Sequence, residues 1–391
     1  MFKRLFKHST KTGLMRFKED GPLDSWFLIL VMALLTIGTI MMFSASYVYA
    51  SYYRNDSFWF LKRQMIFVIG GIALMLLVSK VKLDFYKKYA LVIMGVAVAL
   101  LIIVLFYHTN VEGSNESFKR WIRVPLIGIT FQPSDFAKIG LIIFLAFIID
   151  NNRKRIETDW KYMFFFLAII GAVCFLVILE NHLSGTILLA GIGIAMTYLG
   201  GVKKGWYVVF ISVIVIVAIV AISNMEYLPG YIQERLKSWL DEEYDPSGSR
   251  WQTNQSLYAI GSGGLFGTGL GGSKQKHLYL PEPQNDFIFA IVCEELGYIR
   301  TVGIIILFAL LIWRGFVIGM RAKNRFSSLV VMGIMFHIGL QTSLNIGVVT
   351  GMLPNTGISL PFFSYGGTAL TMLLIEMGIV LSASRGIKRE I

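Results

Sequence analysis

Read only for hydrophobic and polar positions, the chain is a succession of apolar runs about 17–25 residues long, the length an α-helix needs to cross a bilayer, separated by polar stretches. A membrane barrel would instead alternate over segments of about ten residues. Ten spans are predicted, over 26–46, 61–78, 90–107, 132–149, 162–180, 184–200, 206–223, 286–313, 326–349 and 364–384. The expected fold is therefore an all-α polytopic membrane protein of about ten transmembrane helices. A basic cytoplasmic tail (1–24) precedes helices 1–7 (25–223). A large extracytoplasmic loop (224–285) lies between helices 7 and 8, and helices 8–10 (286–385) lead to a short cytoplasmic tail (386–391).

The long loop has a pattern of its own. Ile232, Leu236, Trp239 and Leu240 recur at helical spacing with Glu234, Arg235 and Lys237 between them, which predicts a helix lying in the interface. Gly261–Gly272 follows, and Gly267, Gly269 and Gly272 formally match G-x-G-x-x-G. A dinucleotide site is excluded because no strand precedes the run and no βαβ unit fits. Close backbone packing or a mobile loop accounts for it.

Composition supports the membrane reading: 55% of residues are hydrophobic, 15% are charged, and the mean hydropathy is +0.65. The formal charge of +12 raises nucleic acid as a partner, but its distribution follows the membrane loops. Segments 1–24, 79–89, 150–161, 201–205, 314–325 and 385–391 hold 23 of the 36 Lys and Arg residues, against 11 in the intervening loops. By the positive-inside bias both termini are cytoplasmic and residues 224–285 face outward. The N-terminal stretch is too long and too charged for a signal peptide, so the first span stays uncleaved. Cys174 and Cys293 both fall in apolar runs, so no disulfide framework is expected.

Polar residues at the mouths of spans carry the candidate chemistry. Asp286 ends a proline-stiffened stretch (Pro281, Glu282, Pro283) and opens an apolar segment that continues to Trp313, with Glu294 and Glu295 about two turns deeper. Two readings of Asp286 stand side by side. Asn285 or Asp286 can cap the eighth helix, or a shielded Asp286 carboxylate can act as a general base on a hydroxyl. In 119–138, Lys119, Arg120 and Arg123 surround Trp121, a mixture suited either to phosphate and sugar contact or to an interfacial anchor belt. Asp135 and Lys138 share a helix face at i, i+3 and can pair. His337, Gln341 and Asn345 fall on one face of the ninth span and, with Arg300 and Glu376, read as interhelical hydrogen-bonding groups. Residues 354–367 (PNTGISLPFFSYGG) read as non-helical backbone, tolerated only inside protein or along a wet cavity. No metal-ligand cluster, P-loop or nucleophile elbow is present.

With these blocks laid out, the chain resembles the SEDS family, the FtsW/RodA/SpoVE-type polytopic proteins of bacteria, over nearly its whole length. The resemblance rests on FSAS (43–46), FWFLKRQ (58–64), FQPSD-x-x-K (131–138), QSLYAIGSGGLFGTGLG (255–271), YLPEPQNDFIFAIVCEELG (279–297) and NIGVVTGMLPNTGISLPFFSYGG (345–367). Residues 347–351 look more like the division and sporulation branch than the elongation branch. Two departures stand out. Asp135 replaces the family's usual glutamate, and Asn181-His182 replaces a common Pro-Asp pair, so no role is expected of that loop.

The resemblance implies a peptidoglycan glycosyltransferase that polymerises lipid II with release of polyprenyl pyrophosphate. Asp286 aligns with the family's essential acid and would be the base, while Lys138 and Arg120, or a divalent cation such as magnesium or manganese, would balance charge on the pyrophosphate. Asp135, Trp121, Glu282, Ser364 and Tyr365 complete the expected substrate-binding set. Expected partners are a class B penicillin-binding transpeptidase and other division proteins. The expected place is the bacterial cytoplasmic membrane, enriched at the septum. An elongation polymerase, a lipid II flippase and a non-catalytic division scaffold are the competing readings.

Overall fold

The structure, a computed structural model, describes residues 21–109, 119–123, 130–156, 159–202, 230–241, 243–245 and 250–387, with single positions at 205, 207, 212, 216, 220, 223, 224, 226 and 248. The predicted seventh span (206–223) therefore lies mostly outside the described residues.

Nine of the ten predicted spans are helices: α1 (Ser25–Arg54), α2 (Trp59–Val78), α3 (Leu83–Phe106), α4 (Pro133–Asn151), α6 (Lys161–Leu179), α7 (Leu183–Leu199), α10 (Ile288–Met320), α11 (Arg325–Val349) and α12 (Gly367–Arg385). Seven of these are long and apolar enough to cross a membrane. The exceptions are α7, which has 17 residues, and α4, whose 19 residues include Asp135, Lys138 and Asp150. This is a multi-pass membrane protein. Short elements join the spans: a two-residue ribbon of β1 (Ile122–Arg123) and β2 (Thr130–Phe131), paired antiparallel with Ile122 opposite Phe131, then α5 (Arg153–Ile156), α8 (Gly230–Leu240) and α9 (Trp251–Gly263).

Helix starts follow local chemistry. Asp24 accepts from the Phe27 amide at 3.0 Å and caps α1, while its other oxygen pairs with Arg314 of α10 at 2.6 Å. Asn324 caps α11 through the Ser327 amide at 2.8 Å. Pro133 opens α4 at a position where a missing N–H is harmless. The ends of α1 and α10 remote from Asp286 are thereby tied together.

α4 is the central helix, packed on α3, α7 and α11, with most of its side chains buried. α2 packs along α12 and α3 along α4, and α2 and α3 make no extensive contact with each other.

α10 corrects the reading of one continuous span from residue 286. It starts at Ile288, runs on to Met320 and is broken at Gly297 (φ 75°, ψ 175°), a backbone region essentially reserved for glycine. In an unbroken helix Tyr298 and Ile299 would donate to the carbonyls of Glu294 and Glu295. Those carbonyls instead accept from Thr268 (2.9 Å) and Gly269 (3.0 Å), and the freed amides donate to Gly264 (2.9 Å) and Leu265 (3.2 Å). The glycine-rich segment is thus laced into the break. A Cβ on Gly267 (φ 80°) would stand 2.2 Å from the Glu295 carbonyl oxygen, and one on Gly297 would stand 2.1 Å from the Gly267 nitrogen. Close backbone packing, not a nucleotide or a loose loop, is what these glycines serve.

The lacing is reinforced by charge. Lys276 and Glu295, both with fully buried side chains, pair at 2.7 Å. Ser44 of α1 donates to both Glu295 oxygens at 2.8 and 2.7 Å. Glu294 accepts from the Ser273 hydroxyl (2.5 Å) and the Lys274 amide (2.9 Å). Glu294 and Glu295 therefore bind the segment ahead of Asp286 to α10 and α1. The helix predicted around Trp239 forms as α8, and its Trp239 indole N–H donates to the Gly351 carbonyl at 3.1 Å, which seats it on the turn after α11.

Candidate active site

Asp286 sits in the turn before α10 and does not cap it: the N-cap is Phe287, with no side-chain cap bond. This removes the capping reading. The chain around Asp286 is stitched to the non-helical 354–367 segment and to α11. Gln284 O accepts from the Tyr365 amide (2.8 Å), Asn285 O accepts from the Ser364 hydroxyl (2.7 Å), and Asp286 O accepts from the Asn345 side-chain amide (2.7 Å). The carboxylate lies beside Gly357 (φ 69°), whose Cβ, if it had one, would be 3.6 Å from Asp286 Oδ2. Burial pushes the Asp286 carboxyl up to about 6, against lowering by its own backbone amide and Arg235 and with a further rise from Glu282. Glu282 (φ 43°) is tied to the Asn285 side chain at 2.7 Å and to the Tyr49 hydroxyl.

A second wall comes from α4. Lys138 and Asp135 pair at 2.9 Å with both side chains about nine-tenths buried, as the i, i+3 spacing predicts. Arg120 donates to the Asn181 carbonyl, so the chain just ahead of β1 is held against the turn between α6 and α7. His182 in that turn stands 3.2 Å from the Ser134 hydroxyl and 3.3 Å from the Gln132 amide. Burial holds its imidazole well below the ordinary value, and the charges of Arg120, Lys138 and Arg235 act in the same direction. The Asn181-His182 turn, to which no role was expected, is part of this wall. The charge of Arg235 on α8 reaches both His182 and Asp286.

Below them lies a cleft of about 500 Å³, including the part open to its surroundings. Asp135 and Lys138 line its α4 side, residues 359–362 and 364–366 with Leu370, Met372 and Leu373 of α12 supply much of its wall, and His337, Gln341 and Glu376 line it as well. Of the predicted site residues, Asp135, Lys138, Ser364 and Tyr365 line this cleft, and Asp286, Arg120, Trp121 and Glu282 do not. Ser364 is also committed structurally: its hydroxyl accepts from the Leu360 amide (2.7 Å) while donating to Asn285. Tyr365 meets Phe60 edge-on at 4.8 Å and hydrogen-bonds Arg63. Trp121 is half-buried, its carbonyl accepting from the Thr109 amide at 2.8 Å. Among the described residues no three His, Cys, Asp or Glu side chains converge as a cage for a metal ion, so no step is assigned to one.

This geometry is carried by a chain that matches the family described as cell cycle protein, FtsW/RodA/SpoVE, over residues 25–389. The chain belongs to the FtsW/RodA/SpoVE family. It is 39% identical over 371 residues to stage V sporulation protein E of Bacillus subtilis (strain 168), covering 95% of this chain and 99% of that one. It is 35% identical over 365 residues to a probable peptidoglycan glycosyltransferase FtsW of Trichlorobacter lovleyi, covering 93% and 94%. Among solved structures, it shares the fold of a chain from a peptidoglycan synthase complex (TM-score 0.73, 24% identity, 93% and 98% covered). It also shares the fold of the rod shape determining protein RodA of Thermus thermophilus (TM-score 0.66, 24% identity, 94% and 98% covered).

Within this FtsW/RodA/SpoVE fold, three contributors to the site escaped sequence reasoning. Arg235 read as the polar face of an interfacial helix, His182 as a departure without a role, and Lys276 as one of five basic residues in a loop. For Lys276 a signal did exist: Glu294 and Glu295, deep in an apolar run, demanded a cation from elsewhere in the chain.

Proposed function

We propose that the protein is a peptidoglycan glycosyltransferase that polymerises lipid II into glycan strands on the outer side of the bacterial cytoplasmic membrane. The reading is carried by Asp286, a half-buried carboxylate pushed up to about 6 and held by neighbours rather than used as a cap. A general base works best when its pKa lies near the operating pH. The name of the Trichlorobacter lovleyi relative, a probable peptidoglycan glycosyltransferase FtsW, supports the same activity.

Asp286 takes the proton from the 4-hydroxyl of the acceptor GlcNAc as its oxygen attacks C1 of the donor MurNAc. The bond from C1 to the diphosphate breaks on the opposite face, and polyprenyl diphosphate leaves with the electron pair, turning an α-linkage into a β-linkage. Lys138, with Arg120 on the adjoining wall, meets the charge on the diphosphate, and the apolar wall at Leu370 and Leu373 receives the first isoprene units.

The finer assignments belong to this proposal: the division or sporulation branch, enrichment at the septum, cytoplasmic termini, and a class B penicillin-binding transpeptidase as partner. The decisive experiment incubates purified protein with lipid II and follows glycan polymer for wild type and Asp286→Asn. Polymer from wild type and loss by a factor of about 10²–10⁴ in the variant is the expected result. Polymer from Asp286→Asn within a few-fold of wild type would refute the base, and no polymer from wild type would favour a flippase or scaffold.

A further inference from the structure

Three carbonyls ahead of α10 are fixed by the 354–367 segment and α11, so the position of Asp286 depends on how that segment is itself held. It is irregular backbone packed among membrane helices, with Leu360, Phe362 and Phe363 buried. Its backbone groups must find partners inside the protein. One is Ile358 O, which takes the second N–H of Asn345 at 2.6 Å. Another is Ser359 O, which takes the Gln341 side-chain N–H at 2.9 Å.

The orientation of Gln341 can be derived from this bond. A carbonyl only accepts, so the Gln341 amide nitrogen faces Ser359 and its Oε1 faces the other way. That oxygen lies 2.9 Å from His337 Nε2, so Nε2 is the ring nitrogen that carries hydrogen. His337 Nδ1 lies 3.1 Å from Glu376 Oε2, and a proton on either atom joins them. Glu376, His337 and Gln341 are all buried and line the cleft. The result is one directional chain from Glu376 through His337 and Gln341 to Ser359, in the segment that fixes Asp286. None of these groups is used by the reaction proposed above.

We propose that Glu376 and His337 are positioning residues for glycosyl transfer, acting through Gln341 and the Ser359 carbonyl to hold the 354–367 segment, and with it Asp286, in the reactive register. The proposal rests on Asp286 as the base. A misplacement of about 1 Å at a reacting group costs about 10²-fold in rate, so kcat is the quantity that moves. The charged contacts proposed for the diphosphate lie on α4, outside the 354–367 segment, so the loss falls mainly on kcat rather than KM.

The test measures kcat and KM for lipid II polymerisation by the purified full-length protein. Glu376→Leu and Gln341→Glu are each expected to lower kcat roughly tenfold or more. The double variant should be no worse than the poorer single one, because both cut the same chain. Glu376→Gln, which can still donate to His337 Nδ1, should keep kcat within about threefold. Additive losses, a loss carried by KM, or Glu376→Gln as poor as Glu376→Leu would overturn the proposal. If Glu376→Leu does not fold, Gln341→Glu decides by itself, since it keeps the size of the side chain and removes only the N–H toward Ser359. Wild-type kcat in Gln341→Glu alongside an inactive Asp286→Asn would defeat the relay and leave the base assignment standing. An active Asp286→Asn would defeat the base assignment instead.

Discussion

The Asn345 side-chain amide donates to the Asp286 carbonyl at 2.7 Å and to the Ile358 carbonyl at 2.6 Å. One amide group thus joins the residue proposed as the base to the irregular segment beside it, from a fully buried position on α11. Both of its N–H donors are used, and no other uncharged side chain of similar size and shape offers two on one nitrogen except glutamine, which is one methylene longer.

Asn345→Asp is therefore expected to be worse than Asn345→Ala, although aspartate is the closer match in shape. It would turn an acceptor toward two carbonyls, whereas alanine only leaves them unpaired, at about 1–3 kcal/mol for each buried group. Thermal unfolding in detergent checks this, and a wild-type midpoint for Asn345→Asp would contradict it.

The pH profile reports on Asp286 directly. A base must be deprotonated to act, so with the carboxyl raised to about 6, kcat/KM for polymerisation should rise with unit slope below that pH and level off above it. An aspartate at its ordinary 3.8 would show no such break near neutrality. Arg235 draws the group down and Glu282 raises it, so Arg235→Ala should move the break upward and Glu282→Gln downward.

Lys138→Ala should lose roughly 10²-fold in polymerisation, because the lysine meets developing charge on the leaving group, and should also unfold at a lower temperature, because the buried Asp135 carboxylate loses its counter-charge. Asp135→Glu should be tolerated, since its carboxylate still reaches Lys138 from the same helix face. Wild-type activity in Lys138→Ala would show the ion pair to be structural only.

The buried pair of Lys276 and Glu295 makes a prediction about stability. Lys276→Met leaves a carboxylate without its counter-charge and should cost about 3–5 kcal/mol, with much of that recovered in Lys276→Met/Glu295→Gln. Equal midpoints for the single and double variants would show that the unpaired Glu295 carries no penalty, and equal midpoints for wild type and the double variant would show that the pair contributes nothing net.

Orientation is tested by thiol labelling. Lys274 and Lys323 are both exposed, and a cysteine at 274 should react with an impermeant reagent in intact spheroplasts while one at 323 should not. The reverse pattern would place the Asp286 site on the cytoplasmic side.

The membrane character, the approximate position of nine helices, the place of Asp286 at the mouth of a span and the pairing of Asp135 with Lys138 were all legible in the chain. Each depends on local quantities: the length of an apolar run, the spacing of charges on one helix, or an acid at the mouth of a span. The i, i+3 pairing on α4 needs only one turn of helix geometry, and it is found at 2.9 Å.

What Asp286 does with its position required the fold. As a sequence feature it reads equally as a cap or a base, and only the bonds from Asn345, Ser364 and Tyr365 to the carbonyls around it show how it is held. The break at Gly297 was hidden for a related reason. An apolar run with a single glycine looks continuous until the segment from Gly264 to Gly269 supplies the hydrogen bonds that the helix gives up. Hydrophobic length and helical period are properties of neighbours in sequence, so the chain alone determined the spans. The partners of Glu295, Asn345 and His182 come from distant segments, and which buried donor meets which acceptor was decided only when the helices packed.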